Sequence, residues 1–211
     1  MADTEASEVQ DRTKEVSVRK VIVSEFVALD GVIENPSWTF RFTGEEQQKY
    51  KFDELAASDA LLLGRVTYEE FAAAWPRMTE QAGELSASDA LRLGRYADMM
   101  NGYPKYVAST TLEELLEWNN SALIEGDVTE EVSKLKRQPG KDILIFGSGN
   151  LVNTLMRHDL IDEYRLMIFP IIVGSGQRFF ADGIDEMVLE LVDSETFGSG
   201  VVVLTYRPAS A

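Results

Sequence analysis

The sequence predicts an α/β fold in three layers, αβα, with a mostly parallel central sheet and an antiparallel hairpin at its C-terminal end. Three observations predict it. Short, β-branched apolar runs recur, as buried strands should. Most of them alternate with segments of helical spacing, which places helices on both faces of a parallel sheet. The last two runs, Met187–Thr196 and Val201–Arg207, are joined through Gly198-Ser199-Gly200, a hairpin connection.

The elements follow in order. Lys20–Leu29 (KVIVSEFVAL) is the first buried strand, and Asp30-Gly31 ends it with turn chemistry. A loop carrying Trp38, Phe40 and Phe42 leads to a helix from Glu45 to about Ala57. Ala60–Leu63 is a second buried strand closed by Gly64-Arg65, and a helix from about Thr67 to Ala74 is expected to stop at Pro76. Lys105–Ala108 is a third strand and Ser121–Ile124 a short fourth. Asp127 or Thr129 caps a helix ending near Arg137, with Gly140 following. Ile143–Phe146, a helix from about Asn150 to Arg157, and the strand Glu163–Pro170 complete the alternation.

Composition bounds the function. The 211 residues, 45% of them hydrophobic, suffice for a real core in one large domain or two small ones. With 36 acidic and 20 basic side chains the formal charge is −16. Such a surface argues against nucleic-acid binding and against docking on anionic membranes. The absence of cysteine excludes disulfides, thiolate zinc sites and cysteine nucleophiles. The single histidine, His158, excludes a histidine metal cage, and no metal site is expected. The polar N-terminal residues lack the basic start and apolar stretch of a secretory signal, so a cytoplasmic protein is expected. Residues 1–16 read as a disordered acidic tail, and 17–209 as a single domain with a partly helical insertion at about 77–102.

That insertion contains an echo. Glu54–Arg65 reads ELAASDALLLGR and Glu84–Arg95 reads ELSASDALRLGR, matching at ten of twelve positions. Arg92 stands where the first copy has Leu62, and an unpaired charge in a buried strand is prohibitive. The second copy therefore reads as an exposed helix, with Ala90, Leu91, Leu93 and Ala97 as its apolar stripe, and as a bystander to the site.

Three segments carry candidate chemistry. Gly147-Ser148-Gly149 follows an apolar strand and opens a helix, so its backbone can approach a phosphate beside free N–H groups. A tight strand-to-helix turn would look the same. Gly64-Arg65-Val66-Thr67 occupies the same position after another strand and offers a guanidinium fork and a hydroxyl. Ser109-Thr110-Thr111 follows a third strand; these hydroxyls suit phosphate oxygens or an N-cap. All three lie at strand carboxyl ends, where a parallel sheet gathers its ligand loops.

The order strand-GRVTY-helix, strand-ST turn, strand-GSGNL-helix resembles the dihydrofolate reductase fold. It is similar to the reductase domain of the bifunctional riboflavin-biosynthesis deaminase–reductase and its stand-alone relatives. The segments that carry the likeness are FVALDGVIE (Phe26–Glu34), LLLGRVTYEEF (Leu61–Phe71), PKYVAST (Pro104–Thr110), DILIFGSGNLVNTL (Asp142–Leu155) and DEYRLMIFPIIVGSGQRFF (Asp162–Phe180), within about Arg19–Pro208.

The resemblance implies an NADPH-dependent reductase of a pterin- or pyrimidine-like heterocycle, like 5-amino-6-(5-phosphoribosylamino)uracil reductase. By that resemblance Gly64, Arg65 and Thr67 contact cofactor phosphates, Ser109 and Thr110 help hold the adenosine 2′-phosphate, and Gly147, Ser148, Gly149, Asn150 and Leu151 carry the pyrophosphate and nicotinamide side. With no cysteine and one histidine, the zinc-dependent deaminase half is not expected in this sequence. Asp30, at the end of the first strand, is the candidate proton donor, with a turn-forming role or water as the alternatives. Trp38 and Phe40, with Phe42, would stack on the substrate or pack as a lid. A homodimer is implied as well. The alternative function is a nucleotide- or small-molecule-binding dimer without efficient turnover.

Overall fold

A single eight-stranded sheet organises the chain, in the order β4-β3-β2-β5-β1-β6-β8-β7. The computed structural model describes residues 18–78, 87–112, 114 and 117–209; the tail expected over 1–16 lies outside them. The strands are β1 (Val21–Ala28), β2 (Ser58–Gly64), β3 (Lys105–Ala108), β4 (Ser121–Leu123), β5 (Asp142–Phe146), β6 (Glu163–Phe169), β7 (Leu189–Thr196) and β8 (Val202–Pro208). From β4 to β6 every neighbouring pair is parallel; β8 joins β6, and β7 joins β8, antiparallel.

The apolar runs alternate between two covered faces, which is why they carry no polar side. Val21, Val23, Leu62 and Ile145 pack with Val132, Val152 and Leu155 of α4 (Val128–Lys136) and α5 (Gly149–Met156). Ile22, Leu61, Leu63 and Leu144 pack with Leu55, Tyr68 and Met100 of α1 (Glu45–Ala56), α2 (Arg65–Met78) and α3 (Ala87–Gly102). At the C-terminal end of the sheet Phe169 gathers Phe26, Trp38 and Phe42 edge-on, with ring centroids 5.4–5.8 Å away. No helix among the described residues is long and apolar enough to cross a membrane.

Two expectations are corrected. Helix α2 does not stop at Pro76 but continues to Met78, and it opens at Arg65 rather than Thr67. Pro76 sits in the last turn, where it displaces little of the ladder, and the Nδ2 of Asn101 on α3 donates to the Trp75 carbonyl at 3.2 Å. The apolar stripe of α3 is also different. Leu91 is exposed, while Ala97 and Met100 are fully buried, because α3 packs against α1 and α2.

The C-terminal end of α3 is fixed by Lys105, which lies fully buried on β3. Its ammonium donates to the carbonyls of Met100, Asn101 and Tyr103 at 2.7–3.0 Å and stands 4.4 Å from the Trp118 ring centre. A cation at a helix C-terminus is favourable, and here it satisfies carbonyls that the helix leaves unpaired. Lys105→Met is expected to cost at least about 2 kcal/mol, read as a lower urea midpoint, because three acceptors lose a charged donor.

Candidate functional site

The parallel register lines up the starts of the candidate loops. Ala108 is opposite Gly64, Leu62 opposite Ile145, and Ser24 opposite Phe146. Two residues beyond Leu62 and Ile145, and one beyond Ser24 and Phe146, Gly147 lies level with Gly64 on one side and with Glu25 on the other. The row Ala108, Gly64, Gly147, Glu25 therefore crosses four neighbouring strands at one height. Above it opens a cleft of about 1500 Å³.

Two of the loops are tied together. Ser148 sits in the left-handed region at φ 66°, and its Oγ accepts the Gly64 N–H at 2.8 Å and lies 2.9 Å from the Thr67 hydroxyl. A Cβ on Gly64 would come within 2.5 Å of Ser148 Oγ, and one on Gly147 within 2.9 Å of Thr67 Oγ1. Gly147 also has φ +61°, so glycine is required there on both grounds. The first bond of α5 runs from Val152 N to Ser148 O at 3.0 Å, which leaves the N–H groups of Gly149, Asn150 and Leu151 outside the helical ladder and available to an anion.

Every cofactor residue expected from the sequence lines this cleft: Gly64, Arg65, Thr67, Ser109, Thr110, Gly147, Ser148, Gly149, Asn150 and Leu151. Their bonding divides them. The Arg65 guanidinium pairs with Glu69 at 2.9 Å while remaining accessible, so it can turn to a phosphate. Ser109 Oγ accepts the N–H groups of Thr111 and Leu112 at 3.1 and 2.9 Å, closing a turn. Asn150 Oδ1 accepts from Gln177 Nε2 at 3.4 Å, which brings the Gly174–Gln177 segment to the cleft rim.

The expected catalytic and substrate residues separate. Asp30 is not in the lining; its Oδ2 accepts the Gly174 N–H at 2.7 Å, and that bond holds its carboxyl below the ordinary value. This is the bonding of a turn that joins the residues after β1 to those after β6. Trp38 also lies outside the lining, packed on Phe169 with its indole N–H on the Glu34 carbonyl at 3.1 Å. Phe40 does line the cleft and is 76% exposed.

The structure adds residues that the sequence reading left out. Glu25 and Gln47 line the cleft while each is only 7% exposed, and Glu25 Oε2 and Gln47 Oε1 have no hydrogen-bond partner among the described residues. Burial pushes the Glu25 carboxyl up to about 8, against the pull of the Phe26 N–H and Lys51. The available signal was a glutamate inside the apolar run KVIVSEFVAL. The second copy of the echo is no bystander either: Arg92, Leu93 and Tyr96 of α3 line the cleft, and Arg92 donates to Gln48 at 3.2 Å. Arg95 stays outside the lining, 5.2 Å from the Phe52 ring centre.

Fold and cleft together define an α/β protein of the dihydrofolate reductase-like class. The chain belongs to the RibD C-terminal domain family, whose model matches residues 19–203. It is 30% identical over 195 residues to the uncharacterized protein YyaP of Bacillus subtilis, covering 92% of this chain and 98% of that one. Its fold is that of a putative riboflavin biosynthesis protein from Shewanella sp. PV-4, with TM-score 0.69 and 20% identity over 91% of this chain and 100% of that one. It is also that of a dihydrofolate reductase from Enterococcus faecalis solved with NADP(H), with TM-score 0.56 and 16% identity over 90% and 97% of the two chains.

The contact between Gly64 and Ser148 makes a specific prediction. Gly64→Ala is expected to destabilise the protein by about 1–3 kcal/mol through overpacking. Adding Ser148→Gly, which removes the clashing side chain, is expected to give a double variant more stable than the sum of the single effects by about 1 kcal/mol or more, measured as a double-mutant cycle in urea.

Proposed function

We propose that the protein is an NADPH-dependent reductase that transfers a hydride to a small heterocycle of pterin or pyrimidine type, of the kind reduced by 5-amino-6-(5-phosphoribosylamino)uracil reductases. The observation that carries the reading is the row of loop starts at one height, with two helix N-termini, Arg65 and the hydroxyls of Thr67, Ser109, Thr110 and Ser148 around one cleft. That donor set fits a cofactor with several phosphates: main-chain N–H groups for a pyrophosphate, a guanidinium and hydroxyls for a further phosphate. At about 1500 Å³ the cleft exceeds the roughly 300–1,000 Å³ of ordinary small-ligand pockets, leaving room for a second molecule.

In this reading Gly149, Asn150 and Leu151 hold the pyrophosphate through their N–H groups, and Arg65 leaves Glu69 for the 2′-phosphate beside Ser109 and Thr110. Thr67 and Ser148 keep both loops in place. NADPH supplies the hydride when bound. Phe40, at the rim, covers the acceptor.

One charged hydrogen bond is worth roughly 1.5–3 kcal/mol, so Arg65→Ala is expected to weaken NADPH about tenfold or more and NADH less, by titration calorimetry. Equal losses for both cofactors would remove Arg65 from the 2′-phosphate. NADPH oxidation with a panel of pterin and pyrimidine acceptors tests turnover.

We also propose that two chains associate. β7 pairs only with β8 among the described residues, and on and beside it Val188, Leu191 and Val192 are exposed. Light scattering is expected to give twice the 23.6 kDa of the chain across micromolar concentrations, and the mass of one chain throughout that range would refute it.

A further inference from the structure

We propose that Glu25 is the proton donor of the reduction, a role that rests on the reductase reading above. Glu25 follows Ser24, the partner of Phe146, so it stands on the strand next to Gly147 and level with the first residue of the nucleotide loop. Along β1 it shares a face with Val23 and Val27, which pack in one cluster with Ile33 and Leu151. It is thus the ionisable member of an apolar row that reaches into the cleft between the Gly147 loop and the residues after β1.

Its bonding leaves it free to react. Oε1 accepts only the adjacent Phe26 N–H, at 3.1 Å, and Oε2 has no partner among the described residues. A buried carboxylate in that state would be costly, whereas a neutral carboxylic acid is tolerated and carries a proton to give. Burial holds the carboxyl at about 8, so the acid form predominates at neutral pH.

Charged groups of the cleft come from several elements, Glu45 of α1 and Asp127 before α4 among them. Lys51 comes from α1, its ammonium 4.4 Å from the Phe146 ring centre and 5.3 Å from that of Phe26. Lys51 is bound to Ser24 and Glu54 at 2.6 Å, and Arg165 of β6 is engaged by Glu54 and Glu163. Glu34, after β1, accepts the Gln177 N–H. Arg65, Glu70 and Arg92 line the same cleft from α2 and α3. The neighbouring positions on β5 and α5 are Phe146, Gly147 and Leu151, none of which titrates.

The step balances. The C=N or C=O carbon of the acceptor takes a hydride with its electron pair, and the nitrogen or oxygen takes the Glu25 proton as the carboxyl O–H bond breaks. NADPH is oxidised, the acceptor is reduced, and Glu25 is left as a carboxylate that Lys51 stabilises until solvent returns the proton. Asp30, held ionised by the Gly174 amide, has no proton to give at neutral pH.

The experiment has two arms, using wild type, Glu25→Gln and, should the glutamine variant fold poorly, Glu25→Leu. In the first, urea unfolding is measured from pH 5 to 9 without ligand. An unfolded glutamate ionises near its ordinary 4.5 while the folded one stays protonated to about 8. Wild type should therefore lose stability relative to either variant as pH rises through that window, by about tenfold in the folding constant per pH unit, and level off above pH 8. Parallel curves would mean that Glu25 is already ionised, and would overturn the proposal alone.

In the second arm NADPH oxidation is followed with 7,8-dihydrofolate and with 5-amino-6-(5-phosphoribosylamino)uracil. Glu25→Gln should lower kcat by about a hundredfold or more and abolish the fall in rate above pH 8, with NADPH affinity within about twofold of wild type. A variant keeping a third of the wild-type kcat, or losing NADPH tenfold, overturns the proposal. Absence of wild-type oxidation with both acceptors sinks the reductase reading and the proposal with it, a failure distinct from parallel stability curves.

Discussion

The hydroxyl of Ser148 holds the two central loops in register. It reaches across from the start of α5 to the end of β2, taking the Gly64 N–H and meeting Thr67 in the first turn of α2. Because β2 and β5 are neighbours, this contact aims the N-termini of both helices at the same space. Each brings unpaired N–H groups and roughly half a positive charge. In a chain of formal charge −16, that local field makes this end of the sheet suited to an anionic group. The glycines around Ser148 follow from the same contact: side chains at Gly64 or Gly147 would occupy the space that the hydroxyls need.

A second constraint is the burial of charge beneath the C-terminal half of the sheet. Lys51 meets Glu54, Glu54 faces Arg165, Arg165 pairs with Glu163, and Glu163 accepts from Arg207. The chain runs from α1 across β6 to β8, and each buried carboxylate in it lies between two cations. Such an arrangement stabilises little against an apolar core, but removing one member would leave its neighbours uncompensated. Among the described residues Glu25 is the buried carboxyl outside this chain. Lys51 acts on it, yet that ammonium is already bound to Glu54 and Ser24, and the desolvation of Glu25 outweighs it.

Much of the fold was legible because buried strands announce themselves. Val21, Leu61, Leu62 and Ile143 have no exposed surface, and only short β-branched or leucine runs supply that on both faces. The loops that line the cleft were legible because glycine and hydroxyl residues punctuate those runs. The echo shows what was harder. SDALLLG at Ser58–Gly64 is strand β2, whereas SDALRLG at Ser88–Gly94 lies within helix α3. Leucine at position 62 is enclosed between the helical layers, and arginine cannot be, so one residue separates the two outcomes. That α3 then returns to line the cleft with Arg92 and Tyr96 is a matter of packing against α1 and α2, which no local pattern records. Pro76 misled because its missing N–H falls in the last turn of α2, with two residues of helix still to follow.

The two acidic residues of the first strand and its turn show why residue type alone does not assign chemistry. Asp30 follows the strand in an Asp-Gly turn, the place where a catalytic carboxylate would be sought, and there its Oδ2 takes the Gly174 N–H while its Oδ1 has no partner among the described residues. The Gly174 amide and its neighbours favour the ionised form, so the carboxyl is held low and serves the loop. Glu25, five residues earlier, looks like an interruption in an apolar strand. Yet that strand delivers it to the cleft with one oxygen unpartnered and its proton retained to about pH 8. Environments that push two carboxyl groups in opposite directions separate structural from chemical roles. A strand interior imposes the upward shift, because burial strips water from the carboxyl and the Phe26 N–H alone does not replace it.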